Sequence, residues 1–340
     1  MSIATRLPGL VAALAVSAVL SVGSAGRAHA AGPHKLAGFA GLASDAYWIS
    51  LMCGGTKAAR AAGSTIEWYA VKASNDAAEA NANFEAIKVS NPDGVVYSQF
   101  SGYLPPAGWT EGFMAAGKPV VATNALPADK SYRPYLTLYR SAPATEKMEA
   151  VADAIIAETA GKGTIAVLGG RAGLGPAFEV RWTPLLDILK KKAPDLAVTD
   201  IQRTDFDVNK ANEMVSALIV STPDLKVVYT SSGPEGQGTG AAIAAAGKRG
   251  QISVYSFDAV PALQDLLRDG TVKMLIAQPP GLIGEMATKA ILAWLDQHPN
   301  GGAVQPDTAN QDRMIPTMLI TKANIDSPEA QGYLYKDTCK

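Results

Sequence analysis

The sequence predicts an α/β protein of two similar lobes, each built on a parallel β-sheet, and three observations favour that class. Strand and helix patterns alternate along nearly the whole chain, which is typical of parallel sheets with right-handed crossovers. Segment 91–98, in which a Pro-Asp turn leads into a β-branched run, is repeated with changes as segment 222–231. Each copy is followed by a second strand-like run that ends in a hydrogen-bonding residue, Asn124 or Asp258.

The first half of the chain contains short apolar or β-branched runs separated by helical patterns. Gly63 marks the end of the first helix, and Asp76 with Glu79 three residues later resembles a capping box at the start of the second. The predicted strands are 35–39, 65–71, a run around Val95, 120–123 and 135–138, and the predicted helices are 47–62, 76–89 and 145–160.

The second half repeats this alternation and ends in one further strand. Helix 284–295 carries apolar residues at helical spacing, which predicts that one of its faces packs on the core. The predicted strands are 164–168, 197–201, runs around Val227 and Val254, 274–277 and 316–320, and the other predicted helices are 178–191, 208–220, 238–246 and 262–267.

We therefore expect an N-terminal lobe of residues 31–138 plus 279–313, and a C-terminal lobe and tail of residues 139–278 plus 314–340. Several short hinge crossings would join the two lobes. Ligands of open parallel sheets collect beside the carboxyl ends of the strands. Two such sheets that face each other therefore predict a cleft that closes on a small molecule.

Residues 1–30 have the pattern of a secretory signal peptide. Arg6 supplies a positive charge, residues 10–22 form an apolar run, and Ala28-His29-Ala30 is a small-x-small cleavage site. The run is shorter than the ~20 residues that a membrane-spanning helix needs. We expect cleavage near Ala30 and a mature chain that is periplasmic or secreted.

The two cysteines, Cys53 and Cys339, are expected to form a disulfide bond, because secretion would place them in an oxidising compartment. The bond would attach the C-terminal tail to the first lobe. The alternative is one buried thiol and one frayed tail. Gly54 and Gly55 weaken a helix interior, so another element is expected to pack closely there.

Composition argues against several classes of function. The net charge is −1, which gives no electrostatic reason to expect a nucleic acid or an acidic membrane as a partner. The histidines that follow the signal, His34 and His298, lie outside any catalytic cluster, and no Cys or His pair has zinc spacing. The glycine-rich segment 169–175 does not fit the dinucleotide pattern. No catalytic site, metal or cofactor is predicted.

Carboxylates and aromatic residues share the predicted strand ends. Asp45, Tyr47 and Trp48 follow the first strand, and Phe206 lies between two aspartates after the strand at 197–201. Flat aromatic rings cover the apolar C–H faces of a sugar, while carboxylates and amides bind its hydroxyl groups. This mixture indicates a neutral sugar or a similar polar ligand.

At these residues the chain resembles the type I periplasmic binding proteins of ABC sugar importers, the ribose- and galactose-binding group. The resemblance covers nearly all of residues 35–320, and its most specific part is Ser256-Phe257-Asp258 followed by Ile276-Ala277-Gln278-Pro279. It implies that Asp258 binds sugar hydroxyls, that Gln278 lies at a hinge, that Arg181 is the cleft arginine and that Phe206 stacks on the sugar. The ligand-binding set expected from strand ends and resemblance together is Asp45, Tyr47, Trp48, Asn124, Arg181, Phe206, Ser232, Asp258 and Gln278.

Two positions depart from the ribose-binding pattern. Asn124-Ala125 stands where ribose binders have Asp-Arg, and Ser232 stands where they have Asn. The expected pocket therefore lacks one arginine and one carboxylate, which disfavours ribose itself. A polyol, another pentose or hexose, or another small polar compound remains open.

Each of these residues also has a purely structural interpretation. Asp258 could cap the following helix, and Gln278 could be a turn residue. Arg181 could be a surface residue, and aromatic residues such as Trp48 and Phe206 could belong to the core.

The expected function is that of a monomeric, non-enzymatic solute-binding protein that captures a sugar or polyol and delivers it to the membrane permease of an ABC transporter. A sensor component that presents a bound ligand to a receptor is an alternative. A less favoured alternative is a secreted carbohydrate-active enzyme that uses Asp45 and Asp258 as its acid/base pair.

Overall fold

Two six-stranded sheets organise the part of the chain that the computed structural model describes, namely residues 33–73, 76–99, 104–124, 135–173, 176–309 and 311–339. The predicted signal peptide lies outside these residues. Within them, no helix combines the length and the apolar character that crossing a membrane requires.

The first sheet has the strand order β11-β5-β4-β3-β1-β2, and all of its neighbouring strands are parallel. Its strands are β1 Lys35–Leu42, β2 Thr65–Val71, β3 Gly94–Gln99, β4 Val120–Asn124, β5 Thr137–Ser141 and β11 Asp312–Ile315.

The second sheet has the order β12-β10-β9-β8-β6-β7, and it is parallel except for the antiparallel edge pair of β10 and β12. Its strands are β6 Gly163–Leu168, β7 Leu196–Val198, β8 Leu225–Thr230, β9 Ser253–Phe257, β10 Val272–Ala277 and β12 Met318–Ile320. The orders 5-4-3-1-2 and 10-9-8-6-7 are equivalent. The expected α/β class with two similar lobes is therefore confirmed, and the repeat seen in the sequence pairs β3 with β8 and β4 with β9.

Helices flank both sheets. Those of the first lobe are α1 Ala46–Ala61, α2 Ala77–Ser90, α3 Trp109–Ala115 and α10 Pro280–Gln297; those of the second are α4 Met148–Thr159, α5 Pro176–Glu179, α6 Thr183–Lys192, α7 Val208–Ser221, α8 Gly233–Ala245 and α9 Pro261–Asp269, and a short α11, Pro328–Gln331, lies in the tail. The predicted helix 178–191 is thus two helices, separated at Trp182. The predicted capping box is confirmed, because Asp76 accepts a 2.8 Å hydrogen bond from the Glu79 amide.

Helices α1 and α10 contact each other through their backbones. A Cβ atom at Gly54 would lie 1.9 Å from the Gly281 carbonyl oxygen, and one at Gly284 would lie 2.0 Å from that of Leu51. The close contact expected at Gly54 is therefore real. This contact fixes α10 to the first lobe, although α10 directly follows β10 of the second sheet.

The chain passes between the two sheets at 142–143, 278–279 and 316–317 within the described residues. The expected lobe boundaries after residues 138 and 313 fall inside β5 and β11, because these two strands pair with each other and continue to Ser141 and Ile315. Arg140 and Asp312 strengthen this pair through two hydrogen bonds of 2.7 and 2.8 Å.

The predicted disulfide between Cys53 and Cys339 is present, so the frayed-tail alternative is wrong. A disulfide typically stabilises a folded protein by about 2–4 kcal/mol. It attaches the tail to α1 of the first lobe. Between β12 and this bond the tail also contacts the second lobe, because the Tyr335 amide donates a 2.9 Å hydrogen bond to the Ala259 carbonyl.

Candidate functional site

The equivalent strands β4 and β9 lead into the same unusual backbone conformation. Asn124 has a φ of 81° and Asp258 a φ of 69°. Positive φ is uncommon for residues other than glycine, and such strained residues cluster at ligand sites. Because β4 and β9 occupy matching places in the two sheets, the repeat places one polar side chain at the carboxyl end of each sheet. We refer to the space between these ends as the cleft.

Asp258 lies at the centre of what we call the C-terminal wall of the cleft, which also contains Gly233, Gln278 and Arg181. Its Oδ2 accepts a 3.1 Å hydrogen bond from the amide of Gly233, the first residue of α8, where the helix dipole favours a negative charge. Its Oδ1 accepts a 2.9 Å hydrogen bond from Nε2 of Gln278. No side-chain cap bond starts α9, so Asp258 does not cap the helix that follows it.

Arg181 lies in the turn between α5 and α6 and is held inside the second lobe. Its guanidinium lies over the rings of Phe178 and Phe257, at 4.6 and 4.9 Å from their centroids. It donates a 2.7 Å hydrogen bond to the Ser231 carbonyl and lies 3.9 Å from Oδ2 of Asp258. The surface interpretation of Arg181 is therefore wrong, and its charge faces the carboxylate of Asp258.

Asp45 belongs to the first lobe, but charged groups of the second lobe affect its pKa. Its Oδ1 caps α1 by accepting a 2.8 Å hydrogen bond from the Tyr47 amide. The pKa of Asp45 is raised from its ordinary value of 3.8 to about 6, mainly by burial and also by the charge of Asp258, while the Tyr47 amide and Arg181 act to lower it. Asp45 therefore lies close enough to Asp258 and Arg181 of the second lobe for their charges to act on it.

Tyr47 links α1 to the end of β4. Its hydroxyl donates a 3.0 Å hydrogen bond to Oδ1 of Asn124. Burial and the nearby charge of Asp258 raise the pKa of Tyr47, so the phenol stays a neutral donor. Asp45, Tyr47 and Asn124 therefore lie together at the carboxyl end of the first sheet, and we call this group the N-terminal wall of the cleft.

Trp48 and Phe206, the two aromatic residues predicted to contact the ligand beside Tyr47, differ in their packing. Trp48 is buried, its ring meets that of Tyr47 edge to face at 5.0 Å, and a Cβ atom at Gly41 would lie 2.3 Å from it. Trp48 thus packs on the end of β1. Phe206 is only partly buried and has a φ of 61°, and its ring lies 5.4 Å from that of Phe178. Phe178, which we did not predict, joins Phe206 to Arg181.

Ser232 lies at the start of α8 with its side chain buried. Its hydroxyl makes no capping bond and has no hydrogen-bond partner among the described residues. A buried hydroxyl left in this way costs about 1–3 kcal/mol, which a hydroxyl group of a ligand would offset. The hydroxyl lies in the connection adjacent to Gly233, which donates to Asp258.

Glu235 is a part of the site that we did not predict. It is fully buried, and its carboxylate accepts hydrogen bonds from the Ser231 amide and hydroxyl, both at 2.8 Å, from the Thr204 hydroxyl at 2.6 Å and from the Gly170 amide. It therefore holds together the three loops that follow β6, β7 and β8. Ser232 and Glu235 have the spacing of a capping box, so the sequence does mark Glu235 as a residue at the start of a helix. In the structure, however, Glu235 binds the neighbouring loops and not the backbone of Ser232.

Tyr335, in the tail, is the third residue that we did not predict. Its hydroxyl donates a 2.9 Å hydrogen bond to Oδ1 of Asp258, and its ring lies 5.8 Å from that of Tyr47. Burial and the charge of Asp258 raise the pKa of Tyr335. No local pattern marks it, because it follows the last strand and comes 77 residues after its partner.

The sequence also matches a known protein family. Residues 39–299 match the model of the periplasmic binding protein domain. The D-allose-binding periplasmic protein of Escherichia coli (strain K12) is 22% identical over 285 residues, which cover 82% of this chain and 89% of that protein.

Solved structures show the same fold. A solute-binding protein from Agrobacterium vitis with bound alpha-D-tagatopyranose superposes with a TM-score of 0.70 at 22% identity, covering 89% of this chain and 99% of that one. One from Agrobacterium radiobacter, in complex with D-arabinose, has a TM-score of 0.71 at 21% identity, with 89% and 99% covered. Since the family model spans most of its length, the chain belongs to the periplasmic binding protein domain family.

Proposed function

We propose that the chain is a periplasmic solute-binding protein that captures a neutral sugar or polyol in the cleft and delivers it to the permease of an ABC importer. It acts as a monomer and catalyses no reaction. The observation that carries this proposal is the arrangement around Asp258, a partly buried carboxylate that accepts hydrogen bonds from Gly233, Gln278 and Tyr335 and whose charge acts on Asp45 of the first lobe.

The charges of the site favour a neutral ligand. Asp45 and Asp258 are two carboxylates against one cation, Arg181, and that cation is directed at Asp258 and the Ser231 carbonyl. An anionic ligand would meet a net negative surface. The hydroxyl groups of a sugar both donate and accept, so they suit carboxylates beside neutral donors such as Ser232.

The relatives support the class of ligand and leave its identity open. One relative is named for allose, and two proteins of the same fold were crystallised with tagatose and arabinose. These sugars include a pentose as well as hexoses. Asn124-Ala125 stands where ribose binders have Asp-Arg, which supports a ligand other than ribose.

Closure of the lobes gives the binding mechanism. A ligand that contacts Asp45 in the first lobe and Asp258 in the second makes its full set of bonds only when the cleft is closed. It therefore binds the closed state more tightly and shifts the population toward it. A few charge-assisted bonds of ~1.5–3 kcal/mol each suffice for micromolar affinity, about −8 kcal/mol.

The location follows from the first 30 residues and from the disulfide. The signal pattern ending at Ala30 predicts export, and a bond between Cys53 and Cys339 suits an oxidising compartment. Both agree with a protein that collects solutes outside the cytoplasmic membrane.

The test begins with native mass spectrometry of freshly purified mature protein to identify any retained ligand. Thermal shift and calorimetry follow with D-ribose, D-allose, D-xylose, D-glucose, L-arabinose, D-galactose and myo-inositol. We expect one neutral compound to bind at a one-to-one ratio and to raise the melting temperature. Binding of anions alone, or of nothing, contradicts the proposal, and so does hydrolysis of nitrophenyl glycosides of these sugars.

A further inference from the structure

Tyr335 enters the cleft from a segment that belongs to neither sheet. Its hydroxyl donates to Oδ1 of Asp258, the same oxygen that accepts from Gln278. Its ring packs edge to face on Tyr47, at 5.8 Å between centroids. Tyr335 therefore touches the central carboxylate of one lobe and the aromatic wall of the other, and only 3% of it is exposed.

The tail holds this side chain in place from both directions. The Tyr335 amide donates to the Ala259 carbonyl, and Nε2 of Gln264 donates to the Tyr335 carbonyl at 3.0 Å. The next amide, of Lys336, donates to the Ser50 hydroxyl on α1 at 2.7 Å. Upstream, Ile325 and Ala330 are buried in the core.

The Cys53–Cys339 disulfide completes this attachment four residues after Tyr335. It anchors the tail to the first lobe, whereas the bonds to Ala259 and Gln264 anchor it to the second. The backbone that carries Tyr335 is therefore held on both sides, and the hydrogen bond from its hydroxyl to Asp258 directs the side chain into the wall.

We propose that Tyr335 is a specificity-determining residue of the ligand site, which orients Asp258 and limits the ligand to a single compact ring on the side of the tail. This inference rests on the proposed function. Gln278 and Tyr335 both donate to Oδ1 of Asp258, which holds the carboxylate in one orientation. A ligand hydroxyl can then bind only at the acceptor positions of this carboxylate that remain open. The phenol ring then excludes substituents that extend toward Tyr47.

The experiment compares Tyr335→Phe and Tyr335→Ala with wild-type protein by calorimetry. The probes are three pairs that differ by one hydroxymethyl group, D-ribose with D-allose, D-xylose with D-glucose and L-arabinose with D-galactose, together with myo-inositol. Tyr335→Phe should weaken binding of the tightest wild-type probe by roughly tenfold, because Asp258 loses a charge-assisted bond that orients it. Tyr335→Ala should shift the ranking of the panel toward its larger members by about tenfold or more, since that is the discrimination that one added carbon produces in a shaped pocket.

Tyr333→Phe is the matched control, because it removes a hydroxyl from the same tail and should leave the affinities unchanged. Cys53→Ser combined with Cys339→Ser should weaken binding by less than Tyr335→Ala does, since the hydrogen bonds to Ala259 and Gln264 remain. Circular dichroism reports whether each variant is folded, and Tyr335→Phe keeps the test decisive if Tyr335→Ala does not fold.

The outcomes separate the two proposals. If wild-type protein binds no probe of the panel, the proposed function fails and the inference fails with it. If wild-type protein binds a probe while Tyr335→Phe leaves its affinity unchanged and folded Tyr335→Ala keeps the wild-type ranking, the proposed function stands and the role of Tyr335 is overturned.

Discussion

On the C-terminal wall of the cleft, Asp258 lies between the Gly233 amide, Gln278 and Arg181, so its charge is balanced before any ligand arrives. On the N-terminal wall, burial raises the pKa of the carboxyl of Asp45 to about 6. Two lobes with the same topology thus present different electrostatic surfaces. The comparison teaches that the two lobes share their strand ends, whereas the hydrogen-bonded network around a carboxylate lies in the C-terminal lobe.

This contrast suggests an order of events during capture. A preorganised set of donors and acceptors loses little entropy when it binds, so we expect ligand to engage the C-terminal wall first. The N-terminal wall then closes over the ligand. A ligand hydroxyl that donates a hydrogen bond to Asp45 would replace the water that closure removes from this carboxylate. The three predictions that follow test each wall and then the paired strand ends.

The largest expected effect is at Glu235, which supports the C-terminal wall from below. Glu235→Ala leaves three buried donors without an acceptor, namely the Gly170 amide and the hydroxyls of Thr204 and Ser231, and each such group costs about 1–3 kcal/mol. We expect the free energy of unfolding to fall by about 3 kcal/mol or more in urea denaturation. Glu213→Ala, an exposed glutamate on the neighbouring α7, should change it by less than ~0.5 kcal/mol. Equal effects of the two substitutions would show that Glu235 does not hold the loops together.

Glu235 also shows where sequence patterns stop being informative. The start of α8 was predicted at residue 238, five residues late, because the glycine-rich stretch at 233–240 disfavours a helix. The structure explains those glycines by packing, since a Cβ atom at Gly238 would lie 2.2 Å from the Val208 carbonyl oxygen of α7. Tertiary contact overrides local propensity there, and only the folded chain reveals it.

The features that were predictable are local ones. The strand ends Asn124 and Asp258 follow from a repeated turn, a β-branched run and a polar residue, all within about 35 residues of sequence. The capping box at Asp76 is equally local. Tyr335 is the opposite case, because it reaches Asp258 only through the path of the tail after β12, which no spacing pattern encodes.

The second prediction concerns pH and Asp45. Because the pKa is raised from 3.8 to about 6 in the folded protein, the folded state binds more protons than the unfolded state between these values. The stability that Asp45 contributes is therefore fully present below pH ~4 and is lost as the pH rises through ~6. The loss is on the order of 2–3 kcal/mol, at 1.36 kcal/mol for each pKa unit.

Urea denaturation of ligand-free protein from pH 4 to pH 7 measures this effect. Asp45→Asn keeps an oxygen that can cap α1 but cannot titrate, so it should remove that part of the pH dependence. Exposed Asp195→Asn is the control and should follow the wild-type profile. A wild-type profile parallel to that of Asp45→Asn would mean that the C-terminal wall does not cover Asp45 in solution.

The smallest effects are expected where the two walls are most alike, at the positive-φ strand ends. Glycine adopts this conformation without strain, so Asp258→Gly and Asn124→Gly remove the side chains while keeping the backbone path. Calorimetry with the tightest probe should show a loss of ~1.5–3 kcal/mol for Asp258→Gly, since hydrogen bonds to a charged group are lost, and ~1 kcal/mol for neutral Asn124→Gly. Because the backbone geometry is matched, the difference between these two losses compares the two side chains, each with its own charge and hydrogen bonds. A larger loss at Asn124 would reverse the comparison, since it would make the N-terminal wall, with Tyr47 bonded to Asn124, the main source of affinity.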